Sequence, residues 1–335
     1  MTREGMTSYR NFGVVGGGAW GTALAQLLAA GGAPVRLWAR ETDVVAAINA
    51  EHRNPLFLPG ATLAPSLTAT DDLAELAACD ALLIVVPVPY MRAVLAELPP
   101  GDAPLILCSK GMEAGSFAFP VDIARDVTPS RPVAVLSGPT FAHEVAAGLP
   151  TAITLAAADP ALADALAQAI ARPHFRPYVS GDVTGAEIGG AVKNILAIAS
   201  GIVDGAGLGL NARAALISRG FAEMTRFGLA RGAETETLAG LAGLGDLILT
   251  CTSSNSRNFA LGQGLGRGQE AATLMADRRT VAEGAFSAPV VAAAARADGI
   301  DMPITDAVAR LVAGEIRAGE AIQALLSRPL RREGR

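Results

Sequence analysis

The chain has 335 residues, a formal net charge of −5, 51% apolar residues and 18% charged residues. That length gives room for about two domains with proper cores, and the composition excludes a disordered or fibrous chain. The acidic balance argues against nonspecific nucleic-acid binding, though not against a small anionic ligand held by a few local cations.

Cys79, Cys108 and Cys251 are odd in number and widely spaced, and His52, His143 and His174 are equally scattered. Neither a disulfide framework nor a zinc site is suggested, so no metal is expected. Residues 1–10 have no apolar core like a signal peptide's. No apolar run reaches the roughly 18 to 20 residues needed to cross a bilayer, and the longest candidate, residues 81–89, is strand length. A cytoplasmic protein without stable membrane insertion is expected.

Asn11 to Gly16 reads as a short buried strand, and residues 17–30 continue as a helix. Gly16, Gly18 and Gly21 then fall on the fingerprint G-x-G-x-x-G, in which one glycine makes the tight turn, the next admits a pyrophosphate and the third lets helix pack on strand. The helix N-terminus would give free N–H groups to the anion. A second strand, Ala33 to Ala39, follows at once and strengthens a pattern that is weak alone. It ends on Arg40, with Glu41 and Asp43 after it. Arg40 suits a 2′-phosphate, so NADP(H) is the expected preference, and the neighbouring acids keep NAD(H) open. The competing reading makes Arg40 a solvated loop cation.

Helices over 71–79, 90–98 and 119–127 alternate with strands over 81–86, 104–108 and 132–136. This is the alternation of a doubly wound parallel sheet, whose ligands sit beyond the carboxyl ends of the strands. Lys110 and the run Gly138-Pro-Thr-Phe-Ala142 lie just past such ends, although Lys110 as a plain surface lysine stays open. Residues 151–155 and 175–179 read as edge strands, with a helix over 161–171 between them. After residue 180 the strand signal fades. We place a Rossmann-type dinucleotide-binding domain at 1–180 and an all-helical substrate domain at 181–335.

The helix over 185–201 carries one anomaly. Ile188, Val192, Ile195, Ala199 and Ile202 recur at helical spacing, and Leu196 and Ile198 widen the stripe, so the helix should be buried. Lys193 lies inside it. Of 27 basic residues all but Lys110 and Lys193 are arginine, and what a desolvated lysine adds is a proton it can lose near neutral pH. Its amine should lie over Gly189 and Gly190, where missing side chains leave room for substrate. The bland alternative is an amine that escapes to water or pairs with a buried carboxylate.

Further helices read at 213–229, 235–241, 259–265, 285–298, 305–313 and 320–326. Glycine clusters at 205–209, 240–245 and 262–268 follow no strand, so they read as turns and close-packing points. The second leads through Asp246 into 247–259, a run of hydroxyls, amides and Arg257 that could cradle a phosphate ahead of a helix. An ordinary polar loop capped by Asn255 or Ser256 is the alternative.

With these residues laid out, the sequence resembles bacterial NAD(P)-dependent glycerol-3-phosphate dehydrogenase over nearly its full length. The resemblance rests on residues 18–25, 54–60, 109–113, 137–142, 189–194, 211–217, 240–246, 256–258 and 281–284. It implies reversible hydride transfer between C2 of sn-glycerol 3-phosphate and nicotinamide C4, running mostly from dihydroxyacetone phosphate for phospholipid synthesis. It also implies Lys193 as the acid/base, with Lys110, Asp246, Arg257 and Asn258 on the substrate. Ala19, Trp20, Arg40, Phe57, Lys110, Ala142, Ser256, Arg257, Val281 and Glu283 would line the cofactor, and Gly138 and Thr140 would touch both cofactor and substrate. Phe57 stands where tyrosine is frequent, Thr140 where serine is frequent, and an extra N-terminal tail precedes the first strand. A related 3-hydroxyacid dehydrogenase and a non-catalytic NADP(H)-binding regulator remain the competing readings, and a homodimer is one arrangement left open.

Overall fold

The computed structural model describes residues 9–276 and 282–327. Strands β1 (Phe12–Val15), β2 (Val35–Trp38), β3 (Leu67–Thr70), β4 (Ala81–Ile84), β5 (Leu105–Leu107), β6 (Val133–Ser137), β7 (Thr151–Ala156) and β8 (Phe175–Ser180) form one sheet in the order β3-β2-β1-β4-β5-β6-β7-β8. The central strands β1, β4 and β5 are apolar throughout and buried on both faces, as parallel strands between helical layers must be. Helices α1 (Ala19–Ala30), α2 (Thr42–Glu51), α3 (Val88–Ala96), α4 (Pro120–Val127), α5 (Ala142–Ala146) and α6 (Pro160–Ile170) cover the sheet.

The sheet differs from the expected one in three ways. It is mixed, because β7 pairs antiparallel to β6 and then carries β8 parallel to itself. An unforeseen β3 lies beyond β2 and an unforeseen α2 joins them. The stretch at 71–79 is only a short 3₁₀ turn, Leu73–Leu76.

After β8 the chain is helical among the described residues: α7 (Val183–Gly205), α8 (Gly209–Ala230), α9 (Thr235–Ala239), α10 (Asp246–Thr252), α11 (Arg257–Gly266), α12 (Ala271–Leu274), α13 (Glu283–Ala297), α14 (Pro303–Val312) and α15 (Ala318–Leu326). Asp182 starts α7 by accepting the Gly185 N–H at 2.7 Å, and its second oxygen takes the Glu234 N–H at 2.8 Å. At 23 residues α7 is long and apolar enough to cross a membrane, contrary to the expectation that no segment would be. It is instead the core helix around which the others pack, buried from Gly185 to Val203. Its contact with α11 is made backbone to backbone. A Cβ on Gly201 would sit 2.1 Å from the Phe259 carbonyl oxygen, and one on Gly262 2.0 Å from that of Ile198. The glycine cluster at 262–268 is therefore a packing device, as its sequence suggested.

Candidate active site

Lys193 and Asp246 are brought together by glycine packing. A Cβ on Gly189 would lie 2.2 Å from the Ala242 carbonyl oxygen, so only glycine lets the wide π-helical turn Leu241–Gly245 rest on α7. That turn feeds straight into α10, whose first residue is Asp246. One turn further along α7, Lys193 meets it, Nζ to Oδ1 at 2.6 Å. Lys110, from the loop after β5, reaches the other oxygen of the same carboxylate, Nζ to Oδ2 at 2.6 Å. Its stem crosses Gly190, where a Cβ would meet Lys110 Cγ at 3.1 Å. The two glycines therefore admit protein, not open space. This corrects the expectation that they leave a void for substrate.

The Asp246 side chain is fully buried, and those of Lys193 and Lys110 are 8% and 14% exposed. The cluster thus holds two ammonium groups against one carboxylate, where the sheet meets the helical region. Burial pulls the Lys193 amine down to about 8; Asp246 opposes that shift and Lys110 adds to it. For Lys110 burial also acts downward, but the charge and hydrogen bond of Asp246, with the charge of Glu283, outweigh it and leave the amine raised. Asp246 is held below the ordinary carboxylate range: burial acts upward, and the two ammonium groups prevail. Lys193 thus pairs with a buried carboxylate, as the bland reading held, and burial still leaves its amine titrating well below the ordinary lysine range.

Sequence reasoning missed Thr250. Its hydroxyl accepts from Lys193 Nζ at 3.0 Å and donates to the Asp246 carbonyl at 2.7 Å, so it fixes both partners. The sequence reads 247–259 as a phosphate cradle ahead of a helix with no helix inside it, whereas residues 246–252 are helical and only 253–256 are irregular. On a helix, the four-residue spacing from Asp246 would have given Thr250 away. Ser256 caps α11 by accepting the Phe259 N–H at 3.2 Å. Arg257, next to it in the first turn, is exposed and has no side-chain partner among the described residues. Asn258 accepts the Gly284 N–H at 2.8 Å, and Asn194 Nδ2 donates to Glu283 at 3.3 Å, so both ties join α13 to this cluster. Gly138 is buried against β7, where a Cβ would lie 3.1 Å from Ile153 Cα, and Thr140 Oγ1 bonds back to the Gly138 carbonyl at 3.4 Å.

The glycine-rich loop lies at the carboxyl end of β1. Gly16 has φ +125°, and a Cβ on Gly21 would be 1.9 Å from the Gly16 carbonyl oxygen, so the turn and the packing of α1 both require glycine. A Cβ on Gly18 would meet nothing within 4 Å, and α1 has neither a side-chain cap nor an acid in its first turn. Such a loop fits a pyrophosphate. Ala19 opens α1, Trp20 follows half-buried, and Ala142 opens α5. Phe57 is half-buried on the same core as Trp20. Arg40 is exposed, with its guanidinium 3.2 Å from Glu41. Val281 lies outside the described residues.

Comparison with known proteins points to one family. Residues 11–163 match the N-terminal family of NAD-dependent glycerol-3-phosphate dehydrogenase and residues 182–323 its C-terminal family. The chain is 86% identical to the NAD(P)+ glycerol-3-phosphate dehydrogenase 1 of Sphingopyxis alaskensis, over 98% of this chain and 100% of that one. It is 60% identical to the corresponding enzyme of Erythrobacter litoralis, over 96% and 97%. The crystal structure of glycerol-3-phosphate dehydrogenase from Coxiella burnetii superposes with a TM-score of 0.91 at 40% identity, covering 96% of this chain and 99% of that one. The chain belongs to the NAD(P)-dependent glycerol-3-phosphate dehydrogenase family.

Proposed function

We propose that Lys193 is the acid/base of this dehydrogenase, working mostly in the direction of dihydroxyacetone phosphate reduction and so supplying glycerol 3-phosphate for phospholipid synthesis. The observation that carries this reading is the pair of amines converging on buried Asp246. Two of the three Lys193 N–H groups go to Asp246 and Thr250, which leaves one for a ketone oxygen. That donor polarises the carbonyl and then gives up its proton as the oxygen becomes an alcohol. A nicotinamide cofactor held at the Gly16–Gly21 loop would supply the hydride. Lys110 adds positive charge where the oxygen turns negative, and Asp246 holds both amines in place. Arg257 and Asn258, with the α11 N-terminus, hold the phosphate, so that binding energy remote from the reacting carbon orients it.

Gly16, Gly18, Ala19, Trp20 and Gly21 receive the cofactor pyrophosphate, with Phe57, Ala142, Ser256 and Glu283 along its length. Gly138 and Thr140 contact the substrate beside the cofactor. The two regions, 1–180 and 181–335, act as a dinucleotide domain and a catalytic domain. Three buried free thiols suit the reducing cytoplasm. NADP(H) is the preferred cofactor through Arg40, whose exposed guanidinium suits a 2′-phosphate. Following the loss of 340 nm absorbance with dihydroxyacetone phosphate tests the reading. Arg40→Ala should raise KM for NADPH about tenfold, as loss of one charged contact implies, and leave KM for NADH unchanged. An unaltered NADPH preference would remove Arg40 from the site.

A further inference from the structure

Asn54 has no place in the chemistry above, yet it is 1% exposed and fully engaged. Its Nδ2 donates to the Gly17 carbonyl at 2.9 Å and to Thr22 Oγ1 at 2.8 Å, while its Oδ1 accepts the Phe57 N–H at 3.1 Å. Thr22 Oγ1 donates in turn to the same Gly17 carbonyl at 3.2 Å. One peptide oxygen in the glycine-rich loop is thus held from two sides.

The consequence follows from peptide geometry. The unit joining Gly17 to Gly18 is trans and planar, so its carbonyl and its N–H point in opposite directions. Fixing the carbonyl toward Asn54 and Thr22 turns the Gly18 N–H away from them, at the uncapped start of α1. A Gly-Gly unit lacks both β-carbons that would resist rotation, so it is the peptide most free to flip. Flipped, it would present a partly negative oxygen to an incoming pyrophosphate. We propose that Asn54 is a positioning residue for the cofactor: with Thr22 it latches the Gly17–Gly18 peptide in its anion-donating orientation and ties the Phe57 segment to the same latch. This rests on reading Gly16 to Gly21 as the dinucleotide loop.

Asn54→Asp tests it, because the carboxylate keeps the size and the acceptor for Phe57 but sets an oxygen against the Gly17 carbonyl. The dissociation constant for NADPH, read by fluorescence titration, should rise at least about tenfold, and inhibition by ADP-ribose should weaken by the same factor. At saturating NADPH, kcat and KM for dihydroxyacetone phosphate should stay within about twofold, a split that general damage to the fold would not give. Thr22→Val, which keeps the branched shape and removes only the hydroxyl, should give a smaller rise of about threefold and decides the matter if Asn54→Asp does not fold. Cofactor affinity within twofold of wild type in a folded Asn54→Asp or Thr22→Val protein, or equal losses in both KM values, overturns the latch. Gly18→Val is the control. If it too leaves NADPH binding intact, the loop reading itself falls, whereas a blocked Gly18→Val beside an unaffected Asn54→Asp removes only the latch.

Discussion

Two buried charged groups in the helical region invite comparison, Lys193 on α7 and Glu223 on α8. Both are desolvated and both titrate far from their ordinary values, Lys193 pulled down to about 8 and Glu223 pushed up to about 7, each chiefly by burial. Their partners differ in kind. Glu223 is met by the N–H groups of Ile304 and Thr305 at 2.7 and 3.1 Å and by the Thr305 hydroxyl at 3.2 Å, which is the cap of α14. It ties two helices together. Lys193 is met by a carboxylate shared with a second amine that comes from the sheet. A displaced titration alone therefore does not mark a reactive group. What separates the two is whether the partners are fixed backbone donors or other ionisable side chains, one of them brought in from the sheet.

The largest effect should come from Lys193→Arg, which keeps the charge and removes the labile proton. We expect kcat for dihydroxyacetone phosphate reduction to fall on the order of 10³-fold, within the range for loss of a general acid, with Tm little changed. Near-wild-type turnover would make Lys193 another Glu223, a structural group with a shifted titration. The wild-type pH profile sharpens the same contrast. Reduction needs the protonated amine, so its rate should decline as pH rises through about 8, while glycerol 3-phosphate oxidation, which needs the free amine, should increase over the same window. Because Lys110 and Lys193 share Asp246, the midpoint belongs to the cluster and not to one lysine.

Asp246→Asn should come next. Two buried ammonium groups would lose their counter-ion, a loss of about 3–5 kcal/mol for a broken buried pair, visible as a lowered Tm. With Lys193 no longer held, kcat should drop on the order of 10²-fold. If stability falls but turnover does not, Asp246 is a packing partner alone.

How much of this was legible beforehand depends on the range of the interactions. The glycine-rich loop is local: a turn, an approach and a packing contact fall within six residues, so Gly16, Gly18 and Gly21 stand out in the sequence. Lys193 was legible by contrast, as a cation in an apolar stripe. Periodicity carries no information across the 53 residues between Lys193 and Asp246, so only the family resemblance put the two in one site, where they do pair. Thr250 was hidden because α10 grows out of a π-helical turn with no capping side chain at Gly245, so nothing announced a helix. The direction of β7 was hidden too, since alternation reads the same in parallel and antiparallel pairs. Strand β3, Leu-Thr-Ala-Thr, is held by its pairing to β2 more than by its own hydrophobicity.

The smallest effect on catalysis should come from Glu223→Gln, and it completes the comparison. Glutamine keeps one acceptor for the start of α14 and loses the other, so stability should fall by about 1–3 kcal/mol while kcat and both KM values stay within about twofold. The pH dependence distinguishes the residue further. A carboxyl raised in the folded state from 4.5 to about 7 contributes stability that is fully present below 4.5 and lost as pH rises through 7. The substitution should remove that part of the decline, measured as Tm across pH 4.5 to 7. A fall in turnover without a fall in Tm would mean that the α8–α14 tie reaches the active site, and that the two buried charges differ less than their partners suggest.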